Sequence, residues 1–384
     1  MPDSKLSNIC VFLFLCLFPL SILMGQTTLI IEKYPENTPT KDGIYISGDF
    51  EGWTGGQDAY RLEKTGRIYI MTFTEPEKTI HFKFTRGSWD YVEADANGNQ
   101  LDNRSLTVSK ENDTVRVSIA KWADHSPKIN TASAHVHILD EAFDMSPLAK
   151  KRRIWIYLPK SYDTSAKNYP VVYMHDGQNL FDQALSYSGE WEVDETLDEL
   201  SDNKELELII VGIDHGGSAR IDEYSPWEIT GHPSKLEGKE YIEFIVKTLK
   251  PFIDQNYRTL HNSDNTGIIG SSLGGLISYY AALQYPDVFG KSAVFSPSFE
   301  IVTMTSGFVK DHSNLSSTRI YFLAGDNESE QMVDGIYHII QIMRDAGFPG
   351  KNISYKIVKG GEHNEKLWRE QFEPAIKWLF ERDK

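Results

Sequence analysis

Between the β-branched run 266–269 and an apolar stretch that opens at Leu273 stands Gly270-Ser271-Ser272-Leu273-Gly274-Gly275. A serine on so tight a strand-to-helix turn is held in a strained backbone geometry that pushes its hydroxyl into solvent. Glycines flank it because side chains there would collide with the neighbouring strand and helix. A helix starting at Leu273 also offers its first N–H to a developing oxyanion. Taken alone, these six residues read equally well as a Gly-rich helix cap. A nucleophilic Ser272 therefore requires the rest of the chain to supply a sheet, an acid after a late strand and a histidine after the last one.

The pattern contains that sheet. Apolar strands are expected at 153–158, 171–175, 208–213, 266–270, 291–295, 319–324 and 353–358, with helical stretches at 192–200, 239–256, 273–284, 330–346 and 365–381. Strands alternating with crossover helices imply an α/β fold with a mostly parallel central sheet covered on both faces. Ahead of a polar connector, 123–134, the rhythm differs. Short alternating runs at 43–47, 68–73, 79–84 and 115–119, separated by Gly, Asp, Asn and Pro, describe a small antiparallel β-sandwich. The expected division is a leader over 1–25, a sandwich over 26–122, the connector, and a catalytic domain over 135–384.

Acid and histidine occur in the required chain order, Ser, acid, His. The strand at 319–324 runs into Gly325-Asp326-Asn327-Glu328, and the strand at 353–358 into Lys359-Gly360-Gly361-Glu362-His363. His363, on a glycine-softened loop at the C-terminal edge of the sheet, is the expected general base. The acid that fixes its tautomer is Asp326, Glu328 or Glu330 on this reading. A second oxyanion donor is expected from the loop His175-Asp176-Gly177-Gln178-Asn179-Leu180, at the N–H of Gln178 or Gly177, with Leu273 as the first. His175 itself reads as a packed structural histidine.

These residues resemble the esterase family that includes feruloyl esterases, acetylxylan esterases, enterochelin esterases and the mycolyl transferases. Tyr173-Met174-His175-Asp176-Gly177-Gln178-Asn179-Leu180-Phe181 is similar to a loop of its enterochelin-esterase-like branch, as is Gly216-Gly217 through Arg220 to Glu223-Tyr224-Ser225-Pro226-Trp227. The resemblance covers about Ser133 to the C-terminus and implies an α/β-hydrolase fold and a serine ester hydrolase. In its feruloyl esterases the acid stands three residues after a strand-ending glycine and is followed by a serine. Gly325, Glu328 and Ser329 match, so the resemblance favours Glu328, with Glu where that pattern has Asp. It also implies a pocket lined by Trp191, Tyr224, Trp227, Ser296 and Phe299.

The front segment resembles the starch-binding domain family through Ser47-Gly48-Asp49-Phe50-Glu51-Gly52-Trp53, Phe82-Lys83-Phe84-Thr85-Arg86-Gly87, Val92-Glu93 and Asn103-Arg104. Trp53 matches the first sugar-stacking tryptophan of that family. Ala94 stands where the second is expected, and Trp89 is its substitute candidate. Glycan binding and a sandwich that only packs both remain open, since two aromatic platforms are usually needed for affinity.

Lys5 followed by the apolar run 9–24 and then Gly25 describes a secretory leader, too short and Pro-interrupted for a spanning helix. Cys10 and Cys16 both fall inside it, so the mature chain is expected to lack thiols, disulfides and zinc-thiolate sites, and to be periplasmic or secreted without a membrane anchor. The formal charge of −16 argues against a nucleic-acid partner. The basic run 150–153 leads into a strand and reads as its solvated entrance. No metal or cofactor is called for. The expected function is hydrolysis of feruloyl or acetyl esters on polysaccharide fragments through a Ser-His-acid acyl-enzyme mechanism. Cleavage of a siderophore trilactone, or an inactive glycan-binding protein, are the alternatives.

Overall fold

The computed structural model describes residues 25–75, 79–96, 98, 101–108, 113–125, 130–186, 189–229, 235–302, 306–312 and 317–381. The expected leader, with both cysteines, lies outside these residues apart from Gly25, as does 126–129 of the connector. No helix of the described residues is long and apolar enough to cross a membrane.

The chain divides into two compact units. One holds the residues up to Gly87 together with Arg104–Ala120, and the other holds Ser88–Asn103 with the chain from Lys121 onward. The sequence reading placed all of 26–122 in the front domain, whereas 88–103 clusters here with the second unit. Glu93–Ala94 pairs with Lys121–Trp122, and Ala123 N–H donates to Val92 O at 2.9 Å, which ties an excursion of the front segment to the second unit. Its two anchor residues are buried, Ala94 and Trp122.

The first unit is built from two sheets. One orders Glu63–Thr65, Ile68–Glu75, Gly25–Lys33 and Asp113–Ser118, and the other Tyr45–Gly48, Thr79–Thr85 and Arg104–Thr107. Alternate residues turn inward, so Leu29, Ile31, Ile46, Ile80, Phe82 and Phe84 are buried, as the period-2 pattern requires. All pairings are antiparallel except that of Gly25–Lys33 with Asp113–Ser118, which is parallel. Strands so far apart in sequence need no tight turn, which is what a parallel pair demands.

The second unit is an α/β-hydrolase fold around one eight-stranded sheet. Its strands are β1 (Val136–Asp144), β2 (Lys151–Tyr157), β3 (Val171–His175), β4 (Ile209–Ile213), β5 (Thr266–Ser271), β6 (Lys291–Phe295), β7 (Arg319–Gly325) and β8 (Ile353–Val358). The spatial order is β1-β2-β4-β3-β5-β6-β7-β8, antiparallel at β1-β2-β4 and parallel from β4 to β8. Strands β3, β4 and β5 are buried at every residue, so they read as continuous apolar runs. The edge strand β1 has mostly exposed and partly exposed residues and no such run, and for that reason the sequence pattern does not reveal it.

Four helices position the site or brace it: α1 (Val193–Asp202), α2 (Leu273–Gln284), α3 (Glu330–Asp345) and α4 (Glu365–Phe380). Residues 274–283 of α2 are all buried, the pattern of a helix enclosed in the core. On one face of the sheet Val172 and Met174 pack with α1 and α4 through Leu197, Trp368 and Phe372; on the other, Val171 and Tyr173 pack with Ile277 and Ala281 of α2. The helix expected at 239–256 is interrupted by a π-helical stretch, Ile245–Leu249, between Gly238–Phe244 and Lys250–Asn256.

The ends of β7 and β8 meet backbone to backbone. A Cβ on Gly325 would lie 2.0 Å from the main-chain oxygen of Gly361. Gly325→Ala is therefore expected to destabilise the second unit by about 1–3 kcal/mol through overpacking. Thermal unfolding should report a lowered Tm, while Gly347→Ala, with nothing within 4 Å of its Cβ but a φ of +90°, tests backbone strain alone.

Candidate active site

The sheet delivers its functional side chains at the C-terminal ends of β5, β6, β7 and β8. Ser272 follows β5 directly with φ 58° and ψ −123°, a conformation that costs a non-glycine residue on the order of 1–3 kcal/mol. The surroundings hold it there. Ser272 N–H donates to Phe295 O at 2.9 Å, while Ser272 O accepts from Leu276 N at 3.0 Å and from Ser298 N at 3.3 Å. A Cβ on Gly275 would come 2.7 Å from Phe295 O, so the helix start presses against β6. The hydroxyl of Ser272 lies 3.3 Å from that of Ser298.

His363 and Glu328 are brought together. Nδ1 of His363 is 2.7 Å from Oε2 of Glu328, whose side chain is 2% exposed. The other oxygen, Oε1, accepts from Gly325 N–H at 2.7 Å and from Ser296 Oγ at 2.7 Å. Ser296 Oγ in turn accepts from the indole N–H of Trp368 at 2.9 Å, which leaves its own proton for Glu328. Trp368 also stands edge-on to the His363 ring, 5.2 Å between centroids. Asp326 is employed differently: its carboxylate accepts from Gly360 N–H at 2.6 Å and pins the loop after β8.

Burial alone would lower the pKa of His363, but the hydrogen bond and charge of Glu328, followed by the charges of Glu300 and Glu365, more than offset it and raise the value above the usual imidazole range. The other two histidines of this region behave in the opposite way. His175, buried with Nδ1 2.8 Å from the Tyr241 hydroxyl, is pushed down to about 3, and His215 to about 4, both chiefly by desolvation. Both are neutral near pH 7, and His175 is structural.

The turn opposite Ser272 is held by an ion pair. Asp176 has left-handed backbone angles, φ 57° and ψ 46°, and its carboxylate accepts from Arg220 Nε at 2.7 Å and Nη2 at 2.8 Å. Arg220 Nη2 also reaches Ser271 O at 3.4 Å, joining this turn to the end of β5. Burial disfavours the Asp176 carboxylate, yet the guanidinium beside it holds its pKa below the usual carboxylate value. Among the described residues the main-chain N–H groups of Gln178 and Leu273 donate to nothing. Two such amides can receive a developing negative oxygen.

The expected pocket residues are mostly elsewhere. Trp191 is 3% exposed and stacks on Phe295 at 5.5 Å in the core. Tyr224 is fully buried, with its hydroxyl accepting from Asp176 N–H at 3.3 Å. Phe299 packs edge-on against Tyr279. Ser296 is buried and serves Glu328. Of the five expected pocket residues Trp227 is the one that is partly exposed, edge-on to Tyr280 and Phe308. Ser298, Trp368 and the Asp176–Arg220 pair have no role in the sequence reading. Trp53 and Trp89 fall in different units. Trp53 lies on a turn knotted by Glu51, whose Oε1 accepts from Gly48 N and Thr54 N, each at 3.0 Å.

Comparison with known proteins agrees with this architecture. The model of the family described as "Putative esterase" matches residues 146–379. Over 245 residues the chain is 29% identical to the Bacillus subtilis protein YbbA, covering 60% of this chain and 94% of that one. It is 23% identical to the endo-1,4-beta-xylanase/feruloyl esterase of Xylanibacter ruminicola over 64% of this chain and 32% of the other. A 92-residue stretch is 34% identical to an alpha-amylase of Niallia circulans, covering 23% of this chain and 7% of that protein. Among solved structures, the enterobactin esterase of Shigella flexneri superposes with a TM-score of 0.56 at 16% identity over 92% of both chains, a likeness of fold.

The geometry makes a direct prediction. In an NMR titration, Glu328→Gln should lower the pKa of His363, because its hydrogen-bonded carboxylate charge is the largest influence raising it. Asp326→Asn, which removes a charge directed at Gly360, should shift it far less.

Proposed function

The chain belongs to this esterase family and is a carboxylic ester hydrolase, and we propose that it works through Ser272 as nucleophile, His363 as general base and Glu328 as the acid that orients the base. The observation that carries this reading is the contact of His363 Nδ1 with the buried Glu328 carboxylate, 2.7 Å long, at the end of the sheet that also presents the strained Ser272. With its Nδ1–H hydrogen-bonded to the Glu328 carboxylate, the neutral ring keeps the Nε2 lone pair for the serine proton.

In the proposed cycle the Ser272 hydroxyl turns from Ser298 toward Nε2, loses its proton to it, and Oγ attacks the ester carbon. The carbonyl oxygen becomes negative between the amides of Gln178 and Leu273. Collapse of the tetrahedral adduct expels the alcohol, which takes the proton from His363, and leaves an acyl-serine. Water then repeats the sequence, giving its proton to His363, releasing the carboxylic acid and restoring Ser272. The Ser272-to-His363 hydrogen bond is not among those formed in the structure, as is common before substrate aligns the pair.

For the substrate we favour feruloyl or acetyl esters on polysaccharide fragments. Two likenesses support this: the relative named as an endo-1,4-beta-xylanase/feruloyl esterase, and the front-segment match to an alpha-amylase. Export fits such a substrate, and the leader-like first residues favour it. A trilactone is the second reading, favoured by the 92% coverage of both chains in the enterobactin esterase superposition. Comparing methyl ferulate, acetylated xylan and a catecholate trilactone separates the two.

Ser272→Ala is expected to abolish ester cleavage and labelling by a serine-directed phosphonate with little change in Tm, and retention of full activity would overturn the reading. Because His363 must be neutral to act and its pKa is raised, kcat/KM for an activated ester should be lost as pH falls through a single ionisation above ~6.5. His175 and His215, already neutral there, contribute no second step.

The proposed role of the front unit in glycan binding rests on Trp53. Trp53→Ala should weaken retention on an immobilised polysaccharide and leave hydrolysis of a small soluble ester unchanged. Unaltered retention in affinity electrophoresis would reduce that unit to a structural role.

A further inference from the structure

The turn that carries Gln178 is held by groups that take no part in the proton transfers assigned to His363 and Glu328. Asp176 enters it with left-handed backbone angles, uncommon for a residue other than glycine. Its ψ sets the direction in which the turn Gly177–Asn179 leaves β3, and so the direction of the Gln178 N–H. Two contacts keep Asp176 there. Its N–H donates to the buried Tyr224 hydroxyl at 3.3 Å, and its carboxylate accepts from Arg220 Nε at 2.7 Å and Nη2 at 2.8 Å. Nη2 also approaches Ser271 O at 3.4 Å, one residue before the nucleophile. One planar guanidinium therefore touches both of the turns that carry the amides of Gln178 and Leu273. The side of the turn toward β4 is closed as well: a Cβ on Gly177 would lie 2.9 Å from the main chain of Ile213 and Asp214, and His215 N–H donates to Gln178 Oε1 at 3.2 Å.

Arg220 is itself fixed. It opens a one-turn helix, Arg220–Glu223, and Glu223 at the other end is fully buried. Glu223 Oε1 lies 2.7 Å from Arg152 Nη2 and 3.0 Å from Lys150 Nζ. Two cations of the basic run 150–153, expected to be a solvated strand entrance, thus clamp this helix to the start of β2. A Cβ on Gly216 would come 2.8 Å from both Arg152 Nη2 and Glu223 Oε2, so the loop leading to Arg220 lies against the same clamp. The guanidinium of Arg220 also stands 5.0 Å from the centre of the Tyr224 ring.

Resting on the reading of Gln178 and Leu273 as the oxyanion donors, we propose that Arg220 is a positioning residue, which acts through the Asp176 carboxylate to fix the direction of the Gln178 N–H. A hydrogen bond weakens steeply as its angle departs from linear. A donor also accelerates the reaction only where it meets the charge that appears in the transition state. Loss of the guanidinium fork therefore lowers kcat and spares binding of the uncharged ester. Lysine does not replace it, because a point charge on a flexible stem cannot span both carboxylate oxygens and Ser271 O together.

The test compares the full chain with Arg220→Gln, Arg220→Lys, Asp176→Asn and the double variant Asp176→Asn/Arg220→Gln, with 4-nitrophenyl acetate as substrate. Two inhibitors with one aryl group are titrated against each: a trifluoromethyl ketone, which adds to the serine and turns its oxygen into an oxyanion, and the corresponding alcohol, which cannot add. In Arg220→Gln, kcat and ketone affinity are expected to fall together by about 10–100-fold, while KM and alcohol affinity move by less than about threefold. The double variant should lose no more than the larger single loss, because the two residues act as one unit. Arg220→Lys keeps the charge beside Asp176 and reads the proposal even where Arg220→Gln fails to fold; it should lose at least about threefold in kcat. Wild-type kcat in Arg220→Lys, losses in KM and alcohol affinity as large as those in kcat, or losses that multiply in the double variant would overturn the proposal. A ketone that binds the wild type no better than the alcohol would remove the Ser272 reading, and the proposal with it.

Discussion

The carboxylate of Glu328 is nearly sealed from water and yet makes three hydrogen bonds, to the Gly325 amide, the Ser296 hydroxyl and His363 Nδ1. A buried carboxylate is tolerable only when its lone pairs are so occupied. Each donor comes from a different part of the sheet edge: Gly325 from the end of β7, Ser296 just past β6, His363 from the loop after β8. Ser296 is held in turn by Trp368 of α4. The register of the parallel strands, the contact of Gly325 with Gly361 and the packing of α4 on the sheet must all be correct for these groups to meet. The raised pKa of His363 is a consequence of that convergence, whereas His175 and His215 are pushed the other way by their own burial.

A second, partly buried pair supports the turn that carries Gln178. Asp176 and Arg220 meet in two hydrogen bonds beneath Ser272, and the guanidinium touches the end of β5. Loss of Arg220 would leave the buried Asp176 carboxylate without its counter-charge. The turn that carries Gln178 is thereby tied to the turn that carries Leu273, and their two amides, which have no hydrogen-bond partner among the described residues, are set by main-chain geometry instead of flexible side chains. Such preorganised donors need no reorganisation when charge develops.

The aromatic residues behaved differently from the polar ones. Tyr224, Trp191 and Phe299 stand in or beside loops at the active-site end, which invites their assignment to a pocket. They are buried, because these side chains cover the largest apolar areas and the space under long loops must be filled. Ser296 invites the same assignment for a related reason: a serine near a site can serve substrate or scaffold, and only its distances to Glu328 and Trp368 decide between them.

What the chain announced by itself was whatever local chemistry enforces. Apolar runs bounded by turns marked all the buried strands of the sheet, since a strand covered on both faces has no alternative composition, and they failed at the exposed edge strand β1. The Gly270-to-Gly275 turn and the order of Ser272, Glu328 and His363 were legible because backbone sterics and sheet topology restrict them to few positions. The residues by themselves left Asp326, Glu328 and Glu330 open and only the family resemblance favoured Glu328; in the tertiary structure Glu328 faces His363 while Asp326, two residues earlier on the same loop, faces Gly360. The tertiary structure also decided that 88–103 clusters with the second unit. These are contacts between segments distant in sequence, or choices of side-chain direction within one loop, and neither periodicity nor spacing encodes the direction in which a carboxylate points.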